Sequence, residues 1–223
     1  MIREIALDDG GMNLLSSDVL RRLRAQLPVA SCPVPTDDGQ LATGNGQLLL
    51  LRISRAGGAD MNEMRHFTAA DAEEFSRLGQ ETFDAIERLP FLTVAAIDGD
   101  CFGGALDLAL AFDLRYATPD SRFSHPGAKL GIVTGFGGTT RWRKAMTPAA
   151  ARRLFLSNEV LSAADAHATG LVDVIGQPDM ARLTALDPAV VRVLKELSHH
   201  AERLSQREVM LLAETLGQIY LRR

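Results

Sequence analysis

Two continuous apolar runs constrain the fold of this chain more strongly than any other feature of its sequence. They read LLLLRIS at residues 48–54 and LTVAAIDG at residues 92–99. A strand with water on one face alternates apolar and polar residues, so an unbroken apolar run indicates a strand covered on both faces. Between the runs, Thr68 and Asp71 form the capping pair of a helix that extends to about Leu89 and has one apolar face. Helices packed over such strands are typical of an α/β fold.

Strand and helix signals continue along the rest of the chain. Short strand patterns occur at residues 3–9 and 114–117, and turn-forming residues are concentrated at residues 31–47 and 57–64. Further helix starts are marked by small polar residues or by a first-turn proline, at Ser16 or Ser17, Thr147, Ser162, Asp187 and Ser205. Strands and helices alternate first and helices alone follow. We therefore expect an α/β core over residues 1–180 and a helical C-terminal region over residues 181–223.

Composition narrows the classes of function. The formal charge of −4 at pH 7 leaves no basic excess to neutralise nucleic-acid phosphates. Cys32 and Cys101 are too few for a disulfide framework and lack the spacing of metal ligands, so we expect free thiols and no metal site. No segment has the roughly 18 apolar residues of a membrane-spanning helix, and the charged start MIREIALDD does not resemble a signal peptide. We expect a soluble, cytoplasmic protein that binds neither nucleic acid nor membrane.

The segment GGALDLALAFD at residues 103–113 combines two glycines, an apolar helix and one acid in its first turn, Asp107. Two structural interpretations are available: the carboxylate complements the helix dipole, and the glycines form a turn. The functional interpretation is that free N–H groups at the helix start bind an anionic group, which glycine allows to approach the backbone. The segment alone does not decide between them.

The motifs around this segment occur in the order typical of one family. Residues 91–144 resemble the crotonase superfamily, the enoyl-CoA hydratase/isomerase-like enzymes. The resemblance lies in a strand ending in Asp-Gly, the Gly-Gly-x-x-acid helix start, the segment FSHPG, and the turn GFGGTT followed by arginine. GGADMNEM before this region and LSAADAHATGLVDVI after it match further family segments. The resemblance implies an α/β fold with a crotonase-like ββα spiral core, and activity on acyl-CoA thioesters.

The resemblance also implies where the thioester binds. In the family pattern, the backbone N–H groups of Ala59 and Gly104 form an oxyanion hole for the thioester carbonyl. Two such donors stabilise an enolate or tetrahedral oxyanion, and losing one typically raises the barrier by about 3–4 kcal/mol. The neighbouring residues expected in the substrate site are Gly58, Asp60, Met61 and Gly103.

The acid/base residues depart from the family pattern. Hydration needs a base to activate water and an acid to protonate carbon, and the resemblance implies two glutamates, at positions that carry Asp107 and Gly127 here. We expect Asp107 to face the cleft as the principal acid/base, and Gly127 to line the substrate site without an acid. His125 is a candidate substitute because histidine titrates near neutrality; the alternative is a histidine that lies behind the site or on the surface. Thr134, where the family often has proline, either holds a water or only shapes its loop.

Three functions are compatible with these features. The first is an enoyl-CoA hydratase/isomerase-like lyase that stabilises a thioester enolate. The second is an acyl-CoA decarboxylase or hydrolase on the same fold, and the third is a non-catalytic paralogue that binds acyl-CoA or a partner subunit. We take the first as our prediction. Coenzyme A then enters as part of the substrate and not as a tightly bound cofactor, and the resemblance implies a homo-oligomer, either a trimer or a hexamer.

Overall fold

The computed structural model of this protein describes residues 2–8, 10–28 and 48–201, with side chains described up to Ser198. Three features named above lie outside the described residues: the turn-rich segment at 31–47, Cys32 within it, and the helix start at Ser205.

A mostly parallel sheet forms the centre of the described structure. Its strands are β1 (Ile2–Leu7), β2 (Asn13–Leu15), β3 (Leu48–Ala59), β4 (Thr93–Phe102), β5 (Leu114–Ala117), β6 (Arg122–Ser124), β7 (Leu161–Ser162) and β8 (Val174–Ile175). The strand order is β1-β3-β4-β5-β8, with β2 beside β3 and β6 between β4 and β7. Among these strands, β6 and β7 pair antiparallel and the other pairs are parallel. The prediction of an α/β fold is confirmed.

Helices follow most of the strands and continue after the last one. They are α1 (Ser17–Gln26), α2 (Met61–Met64), α3 (Ala69–Glu87), α4 (Gly104–Ala109), α5 (Gly127–Leu130), α6 (Gly138–Ala145), α7 (Pro148–Leu156), α8 (Ala163–Ala168), α9 (Met180–Thr184) and α10 (Pro188–Ala201). The predicted capping residues are in place: Thr68 and Asp71 form a complete capping box for α3. Thr147 caps α7 and Ser162 caps α8 with side-chain oxygens that accept backbone N–H groups. These polar residues therefore fix where the helices begin.

The two central strands are covered on both faces, as their apolar runs predict. Leu49, Leu51 and Ile53 of β3 belong to a large core with α1, α3 and α4. Leu48 and Leu50 point the other way and pack with β4 and with α9 in a smaller cluster. Because neighbouring side chains alternate between faces, only a continuous apolar run can fill both layers.

Both central strands extend further than their apolar runs predict. β3 continues through Gly57 and Gly58 to Ala59, so the turn predicted at residues 57–64 is wrong: its first half is strand and its second half is α2. The reason is that β2 pairs with this end of β3 and uses its backbone groups. In the same way β4 continues past Gly99 because β6 pairs with Asp100–Phe102. The extensions carry the ends of both strands to the candidate site.

Candidate active site

A cavity of about 300 Å³ opens beside the carboxyl ends of β3 and β4. Ligands of open α/β sheets usually bind at this edge. The end of β3, the start of α4 and the loop at residues 125–136 form one wall. The rest of the lining is largely apolar and includes Met61, Met64, Phe67 and Phe75, and Ile132 and Phe136 of the loop add further apolar surface. The cavity therefore suits an apolar group held next to backbone donors.

The backbone nitrogens of Ala59 and Gly104 lie close together in the first wall. A Cβ atom added to Gly104 would lie 3.3 Å from the nitrogen of Ala59 and 2.9 Å from a ring carbon of Phe136. A Cβ atom added to Gly58, whose φ is +94°, would lie 2.8 Å from the nitrogen of Gly104. The end of β3 and the start of α4 can approach this closely because Gly58 and Gly104 have no side chains. The structure thus brings together the two residues whose backbone N–H groups the family resemblance assigns to an oxyanion hole.

Asp107 lies behind the cavity wall. Its side chain has no exposed surface, and it is not among the residues that line the cavity. Thr134 donates its hydroxyl hydrogen to Oδ2 of the carboxylate, and Oδ1 lies 3.4 Å from Nε2 of His125. A Cβ atom on Gly138, the first residue of α6, would fall only 1.6 Å from Oδ1. The expectation that Asp107 faces the cleft is not met, because these contacts hold its carboxylate one layer deeper.

His125 lines the cavity although only 5% of its surface is exposed. Its ring packs against Phe155 with the ring centroids 4.6 Å apart. A Cβ atom on Gly127 would lie 3.4 Å from Nδ1 of His125 and 2.5 Å from the backbone oxygen of Ile132. The imidazole therefore lies beside Gly127, where the family pattern has a glutamate. There is no room for a side chain at this position.

The remaining predicted site residues divide into two groups. Met61, Gly103, Gly127 and Thr134 line the cavity, whereas Gly58 and Asp60 do not. Asp60 instead caps α2, accepting hydrogen bonds from the backbone nitrogens of Asn62 and Glu63 at 2.9 and 3.4 Å. Gly58 affects the cavity indirectly, because its lack of a side chain allows Gly104 to approach β3. Gly103 precedes α4 with φ +52°, and its backbone nitrogen donates to the oxygen of Ser124 at 2.9 Å.

Phe136 connects the cavity to the core, and our sequence analysis missed it. Its ring packs edge-on against Phe75 and Phe83, with centroid distances of 5.0 and 5.5 Å. One edge of the ring faces Gly104, and the other faces Gly79 of α3, where a Cβ atom would lie 2.2 Å from Cδ1. The available signal was a single large apolar residue inside the glycine-rich segment GFGGTT.

Neither a reactive thiol nor a metal cluster accompanies these residues in the described part of the chain. Cys101 is fully buried, and burial, followed by the charges of Asp107 and Asp100, raises the pKa of its thiol far above the usual value. The thiol therefore stays protonated and is a poor nucleophile.

Within the described ranges, no three His, Cys, Asp or Glu side chains are grouped so that they could hold a metal ion. Nor does any helix in these ranges have the length and apolar character needed to cross a membrane.

Comparisons with known proteins agree with this architecture. A family model described as enoyl-CoA hydratase/isomerase matches residues 55–212. The chain is 33% identical over 168 residues to a crotonyl-CoA hydratase of Syntrophomonas wolfei. This match covers 75% of this chain and 62% of the relative. It is 30% identical over 181 residues to a short-chain-enoyl-CoA hydratase of Clostridium acetobutylicum, covering 80% of this chain and 66% of that one. The chain thus matches a little less than two thirds of the length of these relatives.

The fold is also similar to solved structures. A structure from Thermobifida fusca, named an enoyl-CoA hydratase and containing acetoacetyl-CoA, superposes with a TM-score of 0.81. The similarity covers 99% of this chain and 91% of that one at 20% sequence identity. At this identity the likeness concerns the fold, and it confirms the crotonase-like architecture that the sequence motifs predict.

Proposed function

Since this chain belongs to the enoyl-CoA hydratase/isomerase family of the crotonase superfamily, we propose that it binds an acyl-CoA thioester and stabilises the enolate formed from it. The adjacent backbone nitrogens of Ala59 and Gly104 are the observation that carries this proposal. An enolate oxygen between them would receive two N–H donors in a site built largely from apolar side chains. Hydrogen bonds to an anion are stronger in such surroundings than in water, and this kind of stabilisation is commonly the largest single contribution to catalysis.

The cavity and the relatives support a thioester with a short acyl chain. A volume of about 300 Å³ is at the lower end of the range of ligand pockets. The relatives named above are a crotonyl-CoA hydratase and a short-chain-enoyl-CoA hydratase, and the similar fold from Thermobifida fusca holds acetoacetyl-CoA. We propose a substrate of the same chemical class, with coenzyme A as part of the substrate.

The acid/base set of the proposed enzyme is unusual. Among the described residues that line the cavity, none carries a carboxylate, whereas His125 and Thr134 both line it. Adding water across a double bond needs one group to activate water and another to protonate carbon. We therefore expect weak hydration of crotonyl-CoA. Moving a proton between two carbons of the same thioester needs only one base, so isomerisation of a 3-enoyl-CoA is the more favourable reaction for this site.

The proposed oxyanion hole is tested with butyryl-CoA labelled with ¹³C at the carbonyl. On binding to the wild-type protein, the carbonyl resonance should move downfield because two N–H donors polarise the bond. Gly104→Ala should weaken binding about tenfold or more, since its methyl group must displace Phe136 or the thioester. Gly10→Ala is the control: a Cβ atom there has nothing within 4 Å, and although its φ of +82° lowers stability by about 1 kcal/mol, it should bind butyryl-CoA as the wild type does.

Two results would contradict the proposal. A thioester that binds without a carbonyl shift would show that the Ala59 and Gly104 amides are not its partners. Absence of binding at millimolar butyryl-CoA would exclude the thioester class. Release of CO₂ from malonyl-CoA, or of free coenzyme A from butyryl-CoA, would instead identify the decarboxylase or the hydrolase alternative.

A further inference from the structure

The buried pair formed by Asp107 and His125 supports an inference that deepens the proposed function and rests on it. We infer that His125 is the catalytic residue that carries the proton in this site, and that Asp107 is a positioning residue that acts through His125. This reverses the roles that the sequence suggests, in which the carboxylate meets the substrate directly.

Access to the cavity separates the two side chains. The carboxylate of Asp107 is fully buried and does not line the cavity, whereas His125 does. A group that exchanges a proton with a substrate atom must come within hydrogen-bond distance of it. The imidazole is positioned in the wall where a bound substrate would approach it, and the carboxylate would need to displace its own partners to reach the cavity.

The facing atoms of the pair are complementary. Oδ1 of Asp107 and Nε2 of His125 lie 3.4 Å apart, and neither atom has a hydrogen bond elsewhere in the described part of the chain. Buried polar atoms in folded proteins nearly always have a partner. A movement of a few tenths of an ångström would bring these two to ordinary hydrogen-bond distance. Catalytic hydrogen bonds are often long before substrate binds and shorten when it does.

This contact determines which nitrogen of His125 is free to act. When Nε2 carries the hydrogen and donates it to the carboxylate, the lone pair of the neutral ring is on Nδ1. Nδ1 is the nitrogen beside Gly127, at 3.4 Å from where a Cβ atom of that residue would lie, and Gly127 lines the cavity. The ring of Phe155 packs against the imidazole and limits its rotation. The proton acceptor thus lies at the site where the sequence lacks the second acid.

Thr134 completes the arrangement by fixing the carboxylate. Its hydroxyl donates to Oδ2 of Asp107 and accepts the backbone N–H of Phe136 at 3.2 Å. Because an oxygen that accepts from Phe136 has its own hydrogen directed elsewhere, the hydroxyl is oriented as a donor to Oδ2. Oδ1 is left for His125. Thr134, which stands where the family often has proline, therefore orients the Asp107 carboxylate toward His125.

The proposed step is a reversible proton transfer. The Cα–H bond of the thioester breaks, a bond forms between that proton and Nδ1, and the electron pair moves through the new Cα=C bond to the carbonyl oxygen. The Ala59 and Gly104 amides hold the resulting enolate oxygen, and the carboxylate of Asp107 stabilises the imidazolium across the Nε2 contact. When the hydrogen on Nδ1 is replaced from solvent before one returns to the same carbon, the result is exchange with solvent, and delivery to the γ carbon of an enoyl group gives isomerisation.

Exchange of the α protons of butyryl-CoA in D₂O, followed by NMR, measures this step without requiring a full reaction. His125→Gln should lower the exchange rate at saturating thioester about a hundredfold or more, the usual contribution of a positioned base. Asp107→Asn should lower the same rate at least about tenfold with little change in KM, because the asparagine amide can favour the wrong tautomer. The double variant should be no slower than His125→Gln alone, since residues that act as a unit are not additive.

The controls separate this inference from the proposed function. His66→Gln changes an exposed histidine that does not line the cavity, and it should exchange at the wild-type rate. His125→Gln that exchanges like wild type would overturn the assignment of His125 while leaving thioester binding and the carbonyl shift intact. A wild-type protein that binds butyryl-CoA and shifts its carbonyl but exchanges no protons would overturn the assignment as well. Losses in Asp107→Asn and His125→Gln that add in the double variant would show independent roles.

A direct measurement keeps the inference testable if a variant fails to fold. The ¹⁵N resonances of His125 in the wild-type protein report its tautomer, and we expect a protonated Nε2 with a free Nδ1 in the neutral ring. The opposite tautomer, with hydrogen on Nδ1, would contradict the proposed direction of proton transfer. Thr134→Val should shift these resonances and lower the exchange rate, because it releases Oδ2 of Asp107.

Discussion

At position 127 the surrounding structure leaves room only for glycine. The space that a side chain would enter is filled by the backbone oxygen of Ile132, 2.5 Å from an added Cβ atom, and by the imidazole of His125. A glutamate could not be restored at Gly127 without moving the loop that follows it. The absence of an acid is therefore built into the local backbone and is not a simple exchange of side chains.

This contact predicts that even alanine is poorly tolerated at position 127. Gly127→Ala should lower the free energy of unfolding by about 1–3 kcal/mol, which is typical of overpacking against backbone. Urea denaturation of the variant beside Gly131→Ala tests this, because Gly127 begins α5 and Gly131 directly follows it, but an added Cβ atom at Gly131 has nothing within 4 Å. Gly131 has φ +69°, so its variant should lose about 1 kcal/mol through backbone strain alone. A smaller loss at Gly127 than at Gly131 would contradict the close contact.

The family resemblance pointed to Ala59 and Gly104, which the structure places near each other, but it did not give the direction of the Asp107 side chain. The resemblance could pair Ala59 and Gly104 because the motifs that contain them, GGADMNEM and GGALDLALAFD, are continuous in the sequence. Asp107 could not be placed behind the wall from sequence, since its direction depends on Thr134 and His125, which come later in the chain. Such contacts are fixed by the tertiary packing of loops and leave no local pattern.

At the scale of elements, the contact between α3 and α6 is held by charged side chains next to the site. The guanidinium of Arg141 pairs with Asp84 and Glu87, and Lys144 pairs with Glu87 at 2.8 Å. Partial burial of Glu87 favours its neutral form, but hydrogen bonds and charges from Lys144 and Arg141 outweigh this and hold its pKa below the usual value of 4.5. Glu87 therefore stabilises the fold in its ionised form.

The sign of this shift predicts how acid affects the contact. Because the pKa of Glu87 is lower in the folded than in the unfolded protein, its contribution to stability is complete above pH 4.5 and disappears as the pH falls through the folded value. The wild-type protein should lose more stability than Glu87→Gln between neutral pH and pH values below 4.5, measured by urea denaturation. Glu73→Gln, which changes an exposed glutamate on the same helix, should follow the wild-type curve. Parallel curves for wild type and Glu87→Gln would refute this role.

Elements with strong local signals were predicted, and those that depend on a partner were not. The caps of α1, α3, α7 and α8 lie within four residues of the helices they begin, so the sequence contains them in full. The two- to four-residue elements β6, β7, β8 and α5 are too short to show a period. The glycines in β3 and β4 indicate turns locally, yet the backbone there is strand because β2 and β6 supply hydrogen-bond partners.

At the scale of the whole molecule, one partly buried lysine joins the last described helix, α10, to the sheet. Nζ of Lys195 in α10 lies 2.7 Å from Oδ2 of Asp113 and donates to the backbone oxygen of Phe91 at 3.0 Å. Asp113 also accepts from the backbone nitrogen and the hydroxyl of Thr93, each at 2.8 Å. A single carboxylate thus fixes the start of β4, the end of the segment GGALDLALAFD and the position of α10.

Removing the lysine should release the helix without unfolding the sheet. In Lys195→Met, amide hydrogen exchange should accelerate in residues 188–201 and stay slow in β4, because Asp113 keeps its hydrogen bonds to Thr93. Arg192→Met is the matched control, since Arg192 is on the same helix and has no ion pair among the described residues. Unchanged exchange in α10 of Lys195→Met would mean that apolar packing alone holds this helix in place.

The ring of Phe136, between Gly79 of α3 and Gly104 of the site, has a consequence for how this protein can vary over generations. Gly79 lies on the far side of the ring from the cavity, yet any larger residue there must displace a ring that its Cβ would approach to 2.2 Å. The displaced ring would move toward Gly104 or into the aromatic cluster with Phe75 and Phe83. Mutations on a buried helix face would thereby alter the shape of the cavity, and lineages that differ there would differ in this shape without altering any residue that lines it.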